Sequence, residues 1–244
     1  MKYIFVLSGP NYDLAKEEVK ALTVSKSYTI NKNKLTIESK TLDTKFLSDR
    51  LAFTHEIHYK NIKKKLKKEY QKRKPHLRPQ LHPSSLNPKL AKCLINLTGI
   101  KKGPILDPFC GSAGILIEAA LMNLKPIGYD IDEVMLRRAI INLTHYQIKN
   151  FNLKLTDSTK INKKYNYIVT DLPYGKNTSV KDLNELYLNF LKNLKKILVK
   201  KAVIVFPHFI NYKSLIKKAK LMIENEFSYY IHKSLTKKIV ILKK

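Results

Sequence analysis

The sequence predicts an α/β protein in two parts: a small α+β unit, then a larger domain on a parallel sheet that closes with an antiparallel hairpin. Three observations carry this. The first sixty of 244 residues alternate strand, helix, strand, strand, helix, strand. Beyond Gly103, short apolar strands alternate with helix-length segments, which implies crossovers and a sheet covered on both faces. Finally, FSYYIHK and TKKIVIL are joined by a short turn around Ser234–Leu235 and should pair antiparallel.

In the first unit, KYIFVL (2–7) reads as a strand, and Asn11 or Asp13 can cap a helix carrying Leu14, Ala15, Val19 and Leu22. SYTIN and KLTIES flank a turn at Asn31–Lys34. Asp43 opens a second helix with Phe46, Leu47, Leu51 and Phe53, and HEIHY closes as a strand. That order is ferredoxin-like and is predicted to occupy residues 1–59. Residues 60–74 carry nine basic side chains against one acid, with Ile62, Leu66 and Tyr70 at every fourth position. The spacing predicts a basic helix with one narrow apolar stripe, within a connector spanning 60–80. Four prolines in 74–90 forbid continuous helix until Asn87 or Pro88, from which a helix runs through Leu90, Leu94, Ile95 and Leu97 to Gly99. The domain at 81–244 then has strands at 104–109, 126–130, 152–156, 165–171 and 202–206. Its helices fall near 113–123, 133–146 and 183–199.

Composition narrows the function classes. Forty-seven Lys and Arg against nineteen acids leave a formal charge of +28, which points to a polyanion, nucleic acid first. Within the basic connector, Lys64, Lys65, Lys68, Lys72 and Arg73 are the expected phosphate contacts. Two cysteines, Cys93 and Cys110, are too few for a disulfide scaffold or a four-ligand zinc site, and no metal is expected. No apolar run reaches the length of a membrane span, and the apolar part of MKYIFVLSGP is short for a signal peptide, so a cytoplasmic protein without membrane contact is expected.

In such a sheet the ligand sits beyond the C-terminal ends of the strands, and the polar residues gather there. The first strand ends in DPFCGSAG (107–114), where Gly111 and Gly114 would let the backbone turn and approach a ligand. The second ends at Asp130, where an acid can accept from ribose hydroxyls. The third ends at Asp157–Ser158 and the fourth at Asp171-Leu172-Pro173-Tyr174-Gly175. A dinucleotide needs its pyrophosphate at a G-x-G-x-x-G loop. Here the loop follows an acid, Asp107, which suits a cofactor with a cationic amino group and no phosphate: S-adenosylmethionine.

D-L-P-Y is similar to the D/N-P-P-Y/F motif of methyltransferases that act on planar exocyclic amines. The lone pair of such a nitrogen is delocalised into its ring. Acceptors at Asp171 and the Leu172 carbonyl can hold its N–H groups and draw it towards tetrahedral geometry. Pro173 stiffens the turn, Tyr174 offers a stacking face to a flipped base, and Gly175 lets the chain leave the pocket open.

With those residues in hand, the chain resembles the archaeal tRNA guanine N2-methyltransferases that modify guanosine 10. RPQLHPSSLNPKLAKCLINL (78–97), LDPFCGSAGILIEAA (106–120), GYDID (128–132), TDLPYG (170–175) and HKSLTKK (232–238) carry the resemblance closely. FVLSG, LAKEEVKAL and RLAFTH carry it loosely. The resemblance implies a Rossmann-like, S-adenosylmethionine-dependent methyltransferase domain acting on tRNA. Asp107 and Gly111 would hold the methionine part, Asp130 the ribose, Asp157 the adenine, and Asp171 to Tyr174 the target base, with Phe109, Gly114, Ile131, Ser158 and Asp171 also expected against the cofactor. Two departures stand out. Leu172 replaces the usual proline, and only the connector 60–74 stands where the family places an RNA-binding THUMP domain. A second protein chain is therefore expected to supply part of the RNA grip or activation. The other readings of the same motif are a methyltransferase on another amine (rRNA guanine or adenine, a DNA base, a protein amide) or a catalytically silent RNA-binding subunit. Cys93, Cys110, His55, His58, His82, His208 and His232 read as structural, and Asp132 as a helix cap.

Overall fold

The computed structural model describes residues 1–25, 27–81, 85–174 and 180–244. The first sheet is built from β1 (Lys2–Leu7), β2 (Thr29–Asn31), β3 (Lys34–Glu38), β4 (Thr54–Tyr59) and β5 (Ile62–Lys65), in the order β2-β3-β1-β4-β5, with every neighbouring pair antiparallel. Helices α1 (Tyr12–Thr23) and α2 (Thr44–Arg50) make the two crossovers. Asp43 caps α2 by accepting from Phe46 N at 2.9 Å. Strand alternation decides which side chains go inward: Tyr3, Phe5 and Leu7 meet Leu14, Val19 and Leu22 of α1.

The basic stretch departs from its predicted helix. Residues 62–65 form β5 on the open edge of β4, and 3-10 turns follow at Gln71–Arg73 and Pro75–Leu77. A helix would stack Lys60 on Lys64, Lys64 on Lys68 and Lys68 on Lys72, all like charges at i,i+4. The edge of β4 instead offers unpaired backbone groups to a strand. Leu66 and Tyr70 still pack on the core, while Ile62 is exposed. The first sheet thus continues past residue 59.

The second sheet holds β6 (Pro104–Asp107), β7 (Lys125–Asp130), β8 (Asn152–Leu155), β9 (Tyr165–Asp171), β10 (Leu198–Pro207), β11 (Met222–His232) and β12 (Leu235–Lys243). Their order is β11-β12-β10-β9-β6-β7-β8. The five strands from β6 to β10 run parallel, and β11 and β12 form the antiparallel hairpin expected at the end. Alternation along the strands feeds two cores: Ile105, Val169, Val203 and Val205 face one side, and Leu106, Ile168, Ala202 and Ile204 the other. The first side is covered by α3 (Pro88–Leu97) and α4 (Gly114–Leu121), the second by α6 (Val180–Ile197) and α7 (Tyr212–Lys218). Helix α5 (Glu133–His145) closes a smaller core with α4. Helix α7 is an addition to the sequence-based reading; Asn211 caps it, accepting from Ser214 N.

Helix α3 joins the two sheets. Asn87 caps it, Pro88 occupies its first turn, and Gly99 follows its end with φ +76°. Its Asn96 donates to Glu18 of α1 at 2.7 Å and accepts from Arg50 of α2 at 3.0 Å. Glu18 also accepts from Ala52 N and Phe53 N at 2.8 Å, all fully buried. With its lone pairs satisfied in this way, the network anchors the N-terminal unit to the second sheet. No described helix is long and apolar enough to cross a membrane.

Candidate active site

Strand order reverses between β6 and β9, and in open α/β sheets that switch point opens a crevice at the strand ends. A cleft of about 330 Å³ lies there, lined by Phe109, Gly111, Asp130, Ile131, Asp157, Ser158 and the run from Asp171 to Tyr174. A smaller cavity of about 70 Å³ shares Phe109, Gly111 and Asp171 with it and adds Ser85, Asp107 and Gly114. The structure therefore brings every sequence-predicted cofactor and base residue among those described to two adjoining hollows. Gly175 and His82 lie outside the described residues.

The loop after β6 is pinned to β7. Gly111 N donates to Asp130 Oδ2 at 2.8 Å, and Cys110 N donates to the Tyr129 carbonyl at 2.9 Å. Gly111 has φ +49°, and nothing lies within 4 Å of where a Cβ would stand, so the backbone is bare on its cleft side. Gly114 works differently from the turn glycine expected: its φ is ordinary, and a Cβ there would come within 3.2 Å of Arg78 Nη1. Its smallness makes room for that buried guanidinium.

The acids differ in setting. Asp107 is 2% exposed, and its Oδ1 accepts from Thr170 Oγ1 at 2.7 Å and Phe109 N at 3.2 Å. Burial pushes its pKa up to about 7, and the nearby Asp130 and Asp171 charges push the same way. Asp130 accepts from Gly111 N and, through Oδ1, from Asp132 N at 3.0 Å. Asp132 caps α5 by accepting from Val134 N at 2.7 Å, as expected. Asp157 accepts from Thr159 N and Oγ1, and the backbone N–H first of all holds it below the usual carboxylate range.

Asp171 is the unusual one. Its Oδ2 accepts from Lys237 Nζ at 2.5 Å, while its buried Oδ1 has no hydrogen-bond partner among the described residues. Burial raises its pKa, and Lys237 opposes the rise. The same ammonium lies 4.8 Å from the centroid of the Tyr174 ring. Downstream, Leu172 is buried and donates its N–H to the Val205 carbonyl at 3.1 Å, and buried Tyr187 donates to the Pro173 carbonyl at 2.6 Å. The turn carrying the motif is thus held from β10 and from α6.

Against known proteins, residues 75–238 match the RMKL-like methyltransferase domain model, which takes in the glycine loop, the strand-end acids and D-L-P-Y. The chain belongs to the RMKL-like methyltransferase family. A DNA methylase model also matches residues 2–142, stopping short of β9. The tRNA (guanine(10)-N2)-dimethyltransferase of Methanothermobacter thermautotrophicus is 38% identical over 209 residues, covering 83% of this chain and 59% of that protein. The protein of the same name from Pyrococcus abyssi is 36% identical over 166 residues, covering 66% and 50%. The chain therefore spans between half and three fifths of the length of those relatives. Among solved structures, TrmN from Thermus thermophilus aligns over 100% of both chains with a TM-score of 0.63 at 15% identity, a likeness of fold.

The predicted phosphate contacts do not converge on the cleft. Lys64, Lys65, Lys68 and Arg73 border a groove of about 540 Å³ at the far end of α4, with Glu118 and Leu121; Lys72 does not line it. Three of the predicted contacts have structural partners. Lys64 donates to the Thr44 carbonyl at 3.4 Å. Arg73 donates to both oxygens of Glu118, at 2.8 and 3.1 Å, and Glu118 is 1% exposed, so Arg73 is a clamp between connector and α4. Lys68 donates to the Ala52 carbonyl at 2.7 Å, and burial lowers its pKa to about 8. Lys65 and Lys72 are exposed, and Lys64 is half-buried. Sequence reasoning missed Lys74, His76 and Lys237 beside Tyr174; with His232 they border a third hollow of about 390 Å³ on its other side. The HKSLTKK block held the signal for Lys237, but in a chain with 47 basic residues one buried lysine is camouflaged. Cys93 and Cys110 are buried, and His232 Nδ1 lies 3.0 Å from Ser234 Oγ within the hairpin turn, as structural readings require. Among the described residues no group of three or more His, Cys, Asp or Glu could hold a metal ion.

Proposed function

We propose that this methyltransferase acts on the exocyclic N2 amine of a guanosine in tRNA, guanosine 10 being the first candidate, with S-adenosylmethionine as methyl donor. The observation that carries the reading is Asp171 Oδ1, a buried acceptor without a partner among the described residues at the head of D-L-P-Y, on the wall of a cleft lined by Asp130 and Asp157. The names of the archaeal relatives support the substrate.

The residues fit the cofactor. Asp107 offers a carboxylate to its ammonium across the smaller cavity, Gly111 leaves room for its methionine part, Asp130 stands where ribose hydroxyls can donate, and Asp157 and Ser158 border the end where adenine fits. Bound there, S-adenosylmethionine supplies an electrophilic methyl group. Asp171 Oδ1 and the Leu172 carbonyl accept from the two N–H groups of the target amine and orient its lone pair. Tyr174 stacks on the extruded base. We assign the N-terminal unit, which β5 extends to Lys65, the connector from there to residue 80 and a second chain to orienting the RNA, and the domain 81–244 to chemistry.

A second reading, a DNA base as target, is favoured by the DNA methylase match and by the type II methyltransferase M.VspI of Vibrio sp., 39% identical over 88 residues, 33% of this chain and 22% of that protein. Transfer of tritium from labelled cofactor to tRNA, rRNA and duplex DNA separates the readings. The proposal expects label in tRNA. It also expects Asp171→Ala to keep cofactor affinity while turnover falls about 100-fold or more, and Tyr174→Ala to lose roughly 1–3 kcal/mol of base stacking. Label in DNA alone overturns it, and cofactor binding without transfer to any substrate returns the silent-subunit reading.

A further inference from the structure

The contact between Lys237 and Asp171 lies at the head of D-L-P-Y, where Asp171 forms part of the wall of both hollows. Lys237 comes from β12, 66 residues along the chain, and is 3% exposed. Its ammonium is held by one carboxylate oxygen and by the face of Tyr174. A pair serving only to hold β12 against β9 would gain by satisfying both carboxylate oxygens, because burying an ion pair roughly cancels its attraction and any orphaned acceptor adds cost. Here Oδ1 is left without a partner among the described residues inside a wall shared by both hollows. The arrangement is complete only when a donor arrives from the cleft.

We propose that Lys237 is a positioning residue: by holding Oδ2 it keeps Asp171 a carboxylate and turns Oδ1 towards the amine to be methylated. The inference rests on the proposed amine-methyltransferase reading and deepens it. The chemistry needs this device. A protonated Asp171 would present an O–H donor to an N–H donor, and the amine would lose its acceptor. Burial otherwise favours protonation of Asp171; of the groups near it, Asp107 at the end of β6 is an acid, and Tyr174 and Tyr187 supply no positive charge. Lys237 is the compensating cation, and burial together with the Tyr174 ring fixes its position.

Two readouts test this. The first needs no substrate: the carboxyl carbon of Asp171, labelled with carbon-13 and assigned by its loss in Asp171→Asn, is titrated in the cofactor-bound protein. Lys237→Met and Lys237→Gln should each move its midpoint up by one pH unit or more, and Lys237→Arg should leave it in place. The second is the pH profile of single-turnover methyl transfer. The acid limb should move upward by the same amount in Met and Gln variants, with at least a tenfold loss at pH 7 that shrinks as pH rises and is rescued in Lys237→Arg. Gln keeps a donor in the same space without charge, so it guards against a packing effect in Met. An unchanged midpoint and limb in both neutral variants overturns the proposal. If the wild type transfers no methyl group to nucleic acid, the functional reading fails, while the titration still decides whether Lys237 keeps Asp171 ionised.

Discussion

Removing the Arg73 guanidinium separates a structural role from an RNA-binding one. Arg73 meets Glu118 through Nε and Nη2 in a two-pronged contact, and the carboxylate is 1% exposed. Arg73→Met would leave that buried charge without its partner, which typically costs about 3–5 kcal/mol. For a domain of this size each kcal/mol shifts Tm by roughly 2–4 °C, so melting should fall by about 6–20 °C. The double variant Arg73→Met/Glu118→Leu should recover most of the loss, since replacing both partners by apolar groups is close to neutral. Thermal melts read the stability, and filter binding of tRNA from 50 to 300 mM salt reads the RNA contact. The folded single variant should bind tRNA with wild-type affinity and salt slope. A variant that melts with the wild type but binds tRNA more weakly, with a flatter salt slope, would refute the clamp.

Three further outcomes follow from the site. Asp130→Ala should weaken S-adenosylmethionine by roughly 1–3 kcal/mol in isothermal titration, through the lost acceptor and the freed Gly111 loop; unchanged affinity removes Asp130 from the site. Asp107, with its pKa raised to about 7, must be ionised to hold an ammonium, so cofactor affinity should climb as pH rises from 6 to 8 and be flat in Asp107→Asn. The sign for stability is opposite: a raised carboxyl favours the fold at low pH, so the cofactor-free wild type should lose stability between about pH 4 and 7 relative to Asp107→Asn in urea melts. Neutralising Lys64, Lys65 and Lys72 together should leave melting and cofactor binding intact while weakening tRNA binding and flattening its salt dependence; wild-type binding would move the RNA grip elsewhere, first to Lys74 and His76 beside Tyr174.

The strand ends were legible in the sequence because short, mostly apolar runs stop abruptly at acids: PILD at Asp107, PIGYD at Asp130, YNYIVTD at Asp171. The same pattern yields the parallel sheet, and hence which edge gathers those acids. The basic stretch misled because every-fourth spacing at Ile62, Leu66 and Tyr70 reads as helix, whereas like-charge repulsion and an open edge on β4 favour a strand. Arg73 and Lys237 were illegible for one reason. Each finds its carboxylate 45 or 66 residues away, and only the assembled fold brings those partners together.

The central claim is that Asp171 and its neighbours deliver a methyl group to a guanine amine in tRNA. Its most direct test is mass spectrometry of nucleosides from a tRNA transcript incubated with the purified protein and S-adenosylmethionine, with the Asp171→Ala variant alongside. The account predicts N2-methylated guanosine with the wild type, its disappearance when guanosine 10 is replaced, and none with Asp171→Ala. Methylation at a different atom, or N2-methylguanosine formed equally well by Asp171→Ala, would contradict it.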